Sequence, residues 1–116
     1  MKLFVDDEWD LEGRYPSEEW VCVRSVCLAK MVLEGAQGLI THLSLDYDLG
    51  SEEPSETGGA IVLWLSEQWH NNGVDLWPTE SISIHSRNPV GRASMRAYIL
   101  NPKYNPRPEM FTEGLI

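Results

Sequence analysis

The chain has 116 residues, with 18 acidic against 9 basic side chains and a formal net charge of −9. That length admits one domain and little more, and 42% hydrophobic residues support a packed core, which argues against wholesale disorder. So acidic a balance argues against non-specific duplex nucleic-acid binding, which needs a basic face, but leaves room for a small nucleotide in a local positive pocket. No basic leader with a following apolar run and no membrane-length apolar segment is expected, so neither membrane insertion nor export is expected. Cys22 and Cys27 sit in apolar surroundings without a CxxC pairing. They read as reduced core residues, and the expected setting is cytoplasmic.

Residues 2–6, KLFVD, read as a short buried strand stopped by carboxylates. The polar stretch that follows, with Gly13 and Pro16, reads as a loop. Residues 20–25, WVCVRS, alternate as a second strand, after which Ser25 can cap a helix over VCLAKMVLEG that stops at Gly35. ITHLSLD, 40–46, reads as a third strand, followed by a flexible acidic flap, GSEEPSETGG. Ile61, Leu65 and Trp69 fall on one face of a helix between Ala60 and Trp69, which Asn72-Gly73 ends. SISIH, 81–85, alternates as a fourth strand. Asn88 then caps a helix with Pro89 at its first position. The tail from Asn101, with Pro102, Pro106 and Pro108, reads as irregular. Strands interleaved with helices predict a single α/β domain over 1–116 with a mainly parallel sheet, its core at about 2–100.

In such a sheet, ligands bind outside the carboxyl ends of the strands. Those ends carry Asp6, Asp7 and Glu8 after the first strand, Asp46 and Asp48 after the third, and His85 with Ser86 after the fourth. Carboxylates gathered there repel one another, and a hard divalent cation relieves that repulsion; Mg²⁺ takes carboxylates, waters and a ligand phosphate. Opposite the acids, the helix start after Asn88 offers free N–H groups to an anion. Arg87, Arg92 and Arg96 make a local positive patch there, suited to bidentate phosphate contacts. The bland readings are specific as well: a solvated acid turn at Asp6 and Asp7, a turn-shaping Asp48, a satisfied structural His85, a Ser86 bonded to nearby backbone, and surface ion pairs for Arg92 and Arg96. The tryptophans read mostly as core, except Trp9, which neighbours the acids and can stack on a base.

LFVDDE, WVCVRS, SLDYDLG, TGG and HSRNPVG together resemble response-regulator receiver domains, and more closely the cyclic-phosphate-processing receiver-like subgroup, over residues 2 to about 98. The resemblance implies a three-layer, flavodoxin-like, mainly parallel sheet, reduced by loss of the first helix. It maps the receiver acid pair to Asp6 and Asp7, the phosphate-accepting aspartate to Asp46, and the Ser/Thr position to Ser86. The receiver lysine has no clear match, since Lys103 does not follow a recognisable strand.

The leading expectation is metal-dependent processing of a cyclic phosphate, a 2′,3′-cyclic RNA end or a cyclic nucleotide. Asp6, Asp7, Asp46 and Asp48 would hold Mg²⁺ or another divalent cation, with Asp46 also a potential nucleophile. His85 would protonate the leaving oxygen, and Ser86, Arg87 and Arg92 would hold phosphate oxygens. The rival expectations are a non-catalytic pseudo-receiver that docks a protein partner or sequesters a nucleotide, and an acidic decoy of nucleic acid.

Overall fold

Each of the first four strands is followed directly by a charged or titratable residue. The strands are β1 (Lys2–Val5), β2 (Trp20–Val23), β3 (His42–Leu45) and β4 (Ser81–Ile84). They are followed by Asp6, Arg24, Asp46 and His85. The computed structural model describes residues 1–8 and 17–113. It adds the helices α1 (Val26–Gly35), α2 (Gly58–Asn72) and α3 (Pro89–Ile99), short 3₁₀ turns at Pro54–Glu56 and Pro108–Met110, and a strand β5 (Phe111–Thr112).

The strands form one five-stranded sheet in the order β2-β1-β3-β4-β5, and every pairing is parallel. This is the receiver-like, flavodoxin-like parallel arrangement expected from the sequence. The connections β2–α1–β3, β3–α2–β4 and β4–α3–β5 all step the same way across the sheet. Right-handed crossovers then place all three helices on one face.

The core agrees with that placement. Leu3, Val5, Leu43, Leu45, Ile82 and Ile84 share one face by strand alternation. They form one apolar cluster with Val26, Ala29 and Leu33 of α1, Ile61, Val62 and Leu65 of α2, and Met95 and Ile99 of α3. Burying each such side chain contributes roughly 1.5–3 kcal/mol. Phe4, Ser44 and Ser83 alternate to the opposite face and stand outside that cluster, although they too are buried. The expected reduction of the receiver architecture therefore goes beyond one helix: among the described residues the helical layer covers a single face of the sheet. Most of the β1–β2 connection, with Trp9, Gly13 and Pro16, lies outside the described residues.

Local signals account for the helix ends. The Ser25 side chain accepts from the Leu28 N–H at 3.2 Å, and the Asn88 side chain accepts from the Gly91 N–H at 3.0 Å with Pro89 at the first turn. α2 runs into Gly73, whose φ of 67° is left-handed. The acidic flap is more structured than its composition implies. Pro54–Glu56 forms a 3₁₀ turn, and Thr57 caps α2 by accepting from the Ala60 N–H at 3.3 Å.

Two glycines are demanded by close approach. A Cβ on Gly58 would lie 2.0 Å from the Asp46 carbonyl oxygen, and one on Gly91 would lie 2.3 Å from the Tyr47 ring. These glycines let Tyr47 seat against the starts of α2 and α3, which draws both helices onto the end of β3.

Two expectations need correcting. The C-terminal tail is not irregular throughout, because Phe111 and Thr112 pair with Ile82 and Ser83 as an edge strand. The tail is held on the way there by a bidentate pair between Arg107 and Asp75, at 2.8 and 3.1 Å, and by the buried Asn105 amide, which donates to the Ile99 carbonyl. Cys27 is exposed rather than a core residue, and Cys22 is half-buried. The buried stripe of α1 runs through Val26, Ala29 and Leu33, and Cys27 projects about 100° away from Val26.

Candidate functional site

The parallel register carries on one residue past the strands. The Asp6 N–H donates to the Val23 carbonyl, the Asp46 N–H to the Val5 carbonyl, and the His85 N–H to the Leu45 carbonyl, each at 3.0 Å. Asp6, Asp46 and His85 are therefore level with one another, and alternation turns all three to the face that the three helices leave uncovered. One ligand atom from each lies within 4.8 Å of the others. Asp6 is fully buried and Asp46 is 8% exposed, so the groups sit recessed at the strand ends rather than in a solvated acid turn.

His85 is held on three sides. Nε2 lies 3.0 Å from Asp6 Oδ2, Nδ1 lies 2.7 Å from Ser44 Oγ, and the ring stacks on Phe4 with centroids 4.3 Å apart and planes 5° apart. Asp6 spends its other oxygen on the chain itself, with Oδ1 accepting from the Glu8 N–H at 2.8 Å. That bond shapes the turn after β1. Two buried carboxylates and an imidazole this close fit a divalent cation. Imidazole suits Zn²⁺ or Fe²⁺, and carboxylates suit Mn²⁺ or Mg²⁺. The donor set is thus softer than the all-carboxylate Mg²⁺ site read from the sequence.

The remaining candidates separate from this cluster. The Asp7 carboxylate leans over Gly50, where a Cβ would lie 2.9 Å from Oδ2, and the Asp7 carbonyl accepts from Arg24 Nη1 at 2.7 Å. Asp48 is exposed and accepts from Asn88 Nδ2 at 3.3 Å, which braces the cap of α3. Ser86 is buried, and its hydroxyl accepts from the Asn88 N–H at 3.2 Å, a turn-forming role. Arg92 Nη1 donates to the carbonyls of Ile84 and Ser86 at 2.8 and 3.1 Å. Arg92 and Arg96 both pair with Glu113, at 3.4 and 3.2 Å. Together with Phe111 they line a cavity of about 230 Å³ between α3 and β5. Arg87 is exposed on the β4–α3 loop. Lys103 lies over the Tyr104 ring, 5.5 Å from its centroid. Trp9 is outside the described residues.

Three contributors were passed over in the sequence: Ser44, Phe4 and Arg24. All lie in or just after strands next to the acids. The signal for Ser44 and Phe4 was strand alternation, since each stands two residues before a cluster aspartate and so shares its face. Cys22 occupies the same face of β2. Burial pushes its thiol up, the Arg24 guanidinium pulls it down, and the Asp6 carboxylate adds to the upward push.

No helix among the described residues is long and apolar enough to cross a membrane. No curated protein and no solved structure matches the chain. A family model described as cyclic-phosphate processing receiver domain matches residues 1–101, a span that takes in β1 to β4, all three helices and every strand-end residue of the recess. Fold, strand-end chemistry and family match thus point the same way, and the chain belongs to the cyclic-phosphate processing receiver domain family.

Proposed function

We propose that this domain processes a cyclic phosphate with the help of a divalent cation held by Asp6, Asp46 and His85. The observation that carries the reading is the convergence of those three ligand atoms within 4.8 Å in a recess at the strand ends. Two carboxylates there would repel an anionic phosphate. When bound, the cation would offset that charge and polarise a phosphoryl oxygen. The reaction adds water across one ring P–O bond. The water oxygen bonds to phosphorus, the freed sugar oxygen leaves with a proton, and the product is a phosphomonoester.

The roles of the side chains shift from those first expected. With Nε2 facing Asp6 and Nδ1 facing Ser44, His85 acts as a ligand rather than as the acid for the leaving group. Asp46, the more accessible of the two carboxylates, faces the incoming phosphate. Arg87, exposed one residue beyond Ser86, is placed to steer an anion toward the recess. Arg92 is turned toward backbone carbonyls and Glu113 and plays no part in this reading. Receiver-type switching through a lysine is disfavoured, because the residue after β5 is Glu113.

The test is ³¹P NMR of wild type and Asp46→Asn with 2′,3′-cyclic nucleotides and 3′,5′-cyclic nucleotides, with Zn²⁺, Mn²⁺ or Mg²⁺ in turn. Appearance of a phosphomonoester with wild type alone supports the reading. Absence of turnover on every substrate with every cation overturns catalysis and leaves nucleotide capture as the function, which calorimetry with the same nucleotides would detect.

A further inference from the structure

Ser44 is fully buried in the middle of the sheet, and its hydroxyl touches two polar groups. Ser83, its register partner on β4, donates to Ser44 Oγ at 3.3 Å, and His85 Nδ1 lies 2.7 Å from the same oxygen. A hydroxyl has one proton to give. If Ser44 accepts from Ser83, its own proton points at Nδ1. Nδ1 is then the acceptor, and the imidazole proton sits on Nε2, where it donates to Asp6 Oδ2 at 3.0 Å. The whole row runs one way: Ser83 to Ser44 to His85 to Asp6.

A cation taken up through Nε2 needs the lone pair that this proton occupies. The proton must then sit on Nδ1 and be donated to Ser44 Oγ, and the Ser44 hydroxyl must turn its own proton toward Ser83. Each hydroxyl can act as donor or acceptor, so the row can run in either direction without stranding a buried polar atom. An alanine at position 44 removes the acceptor that the reversed direction needs, whereas the forward tautomer keeps its acceptor at Asp6 Oδ2. Stacking on Phe4 keeps the ring plane constant in both.

We propose that Ser44, backed by Ser83, is a positioning residue that accepts the Nδ1 proton of His85 and so lets the tautomer reverse when the recess takes up a divalent cation. This rests on the proposed function, since the reversal occurs only when a cation takes the Nε2 lone pair. Outer partners of ligating histidines orient the ring and select the nitrogen that binds, and their loss costs about 10–100-fold in metal affinity.

The experiment is a long-range ¹H–¹⁵N correlation of the imidazoles in ¹⁵N-labelled protein at one mildly alkaline pH, without metal and then with Zn²⁺, alongside Zn²⁺ calorimetry. Metal-free wild type is expected to show His85 as the single Nε2–H form, and Zn²⁺ to move the proton to Nδ1. Ser44→Ala is expected to keep the metal-free Nε2–H form, held by Asp6, and to weaken Zn²⁺ binding about 10-fold or more, with Ser44→Thr restoring the affinity. An Nδ1–H form in the metal-free protein, or a folded Ser44→Ala with the wild-type Zn²⁺ affinity, overturns the proposal. Should Ser44→Ala fail to fold, Ser83→Ala is read in its place and is expected to weaken Zn²⁺ binding in the same direction; an unchanged affinity counts against the relay. Failure of wild type to bind Zn²⁺ overturns the proposed function and this proposal together, whereas binding by wild type with an unchanged affinity in Ser44→Ala overturns this proposal alone.

Discussion

The imidazole of His85 lies flat on the Phe4 ring, with centroids 4.3 Å apart and planes 5° apart. Phe4 is itself fixed by an edge contact from Trp20 at 6.0 Å. An aromatic floor under an imidazole removes its rotational freedom and leaves only the two nitrogens to interact. Phe4→Leu keeps most of the apolar volume and loses the floor. It is expected to reduce divalent-cation affinity several-fold while costing less than about 1.5 kcal/mol of stability. Paired calorimetric and urea titrations check this; an unaltered affinity would show that stacking does not orient the ring.

Gly58 and Gly91 are packing glycines, and their substitution tests how Tyr47 ties the end of β3 to two helices. Gly58→Ala would drive a methyl into the Asp46 carbonyl. It is expected to destabilise the fold by about 1–3 kcal/mol, despite alanine's intrinsic gain of about 1 kcal/mol in a helix. Gly35→Ala is the control, since nothing lies within 4 Å of a Cβ there. It should be neutral or slightly stabilising in the same denaturation experiment.

Arg107 grips Asp75 through both nitrogens and also donates to the carbonyls of Trp77 and Pro78. The pair is about a third exposed, which screens it. A double-mutant cycle with Arg107→Met and Asp75→Asn is expected to give a coupling of about 1 kcal/mol. The single variants should also speed hydrogen exchange at the edge strand β5, because this grip leads the chain to it. Coupling near zero with unchanged exchange would place the anchor of the tail elsewhere.

How much of this was legible in advance follows from physical range. Strand and helix order, the Ser25 and Asn88 caps, and the grouping of Asp6, Asp46 and His85 rest on local pattern plus one rule about strand ends. β5 escaped because two residues carry no period, and its place depends on a grip 32 positions away in sequence. Asp7 and Asp48 could not be told from their neighbours, because in an acid run it is the sheet register that decides which residue faces inward. Ser44 and Ser83 looked like ordinary polar strand positions until the pairing of β3 with β4 set them side by side.

The two cysteines differ in the same way. Burial raises the Cys22 thiol, whereas Cys27 stands exposed on α1. A raised pKa means less thiolate at neutral pH, and the thiolate is the reactive form. Cys27 is therefore expected to alkylate first with iodoacetamide. The rate at Cys22 should climb only at higher pH, and mass spectrometry of timed digests at stepped pH checks the order. Faster reaction at Cys22 would contradict its burial.

A cation bound by Asp6, Asp46 and His85 is the central requirement of the proposed chemistry, and calorimetric titration of the metal-stripped protein with Zn²⁺ and Mn²⁺ tests it most directly. One site per chain is expected, weakened at least 10-fold by Asp46→Asn and by His85→Ala alike, and unchanged by Asp48→Asn. Equal binding by wild type and Asp46→Asn, or no binding by wild type to either ion, would contradict it.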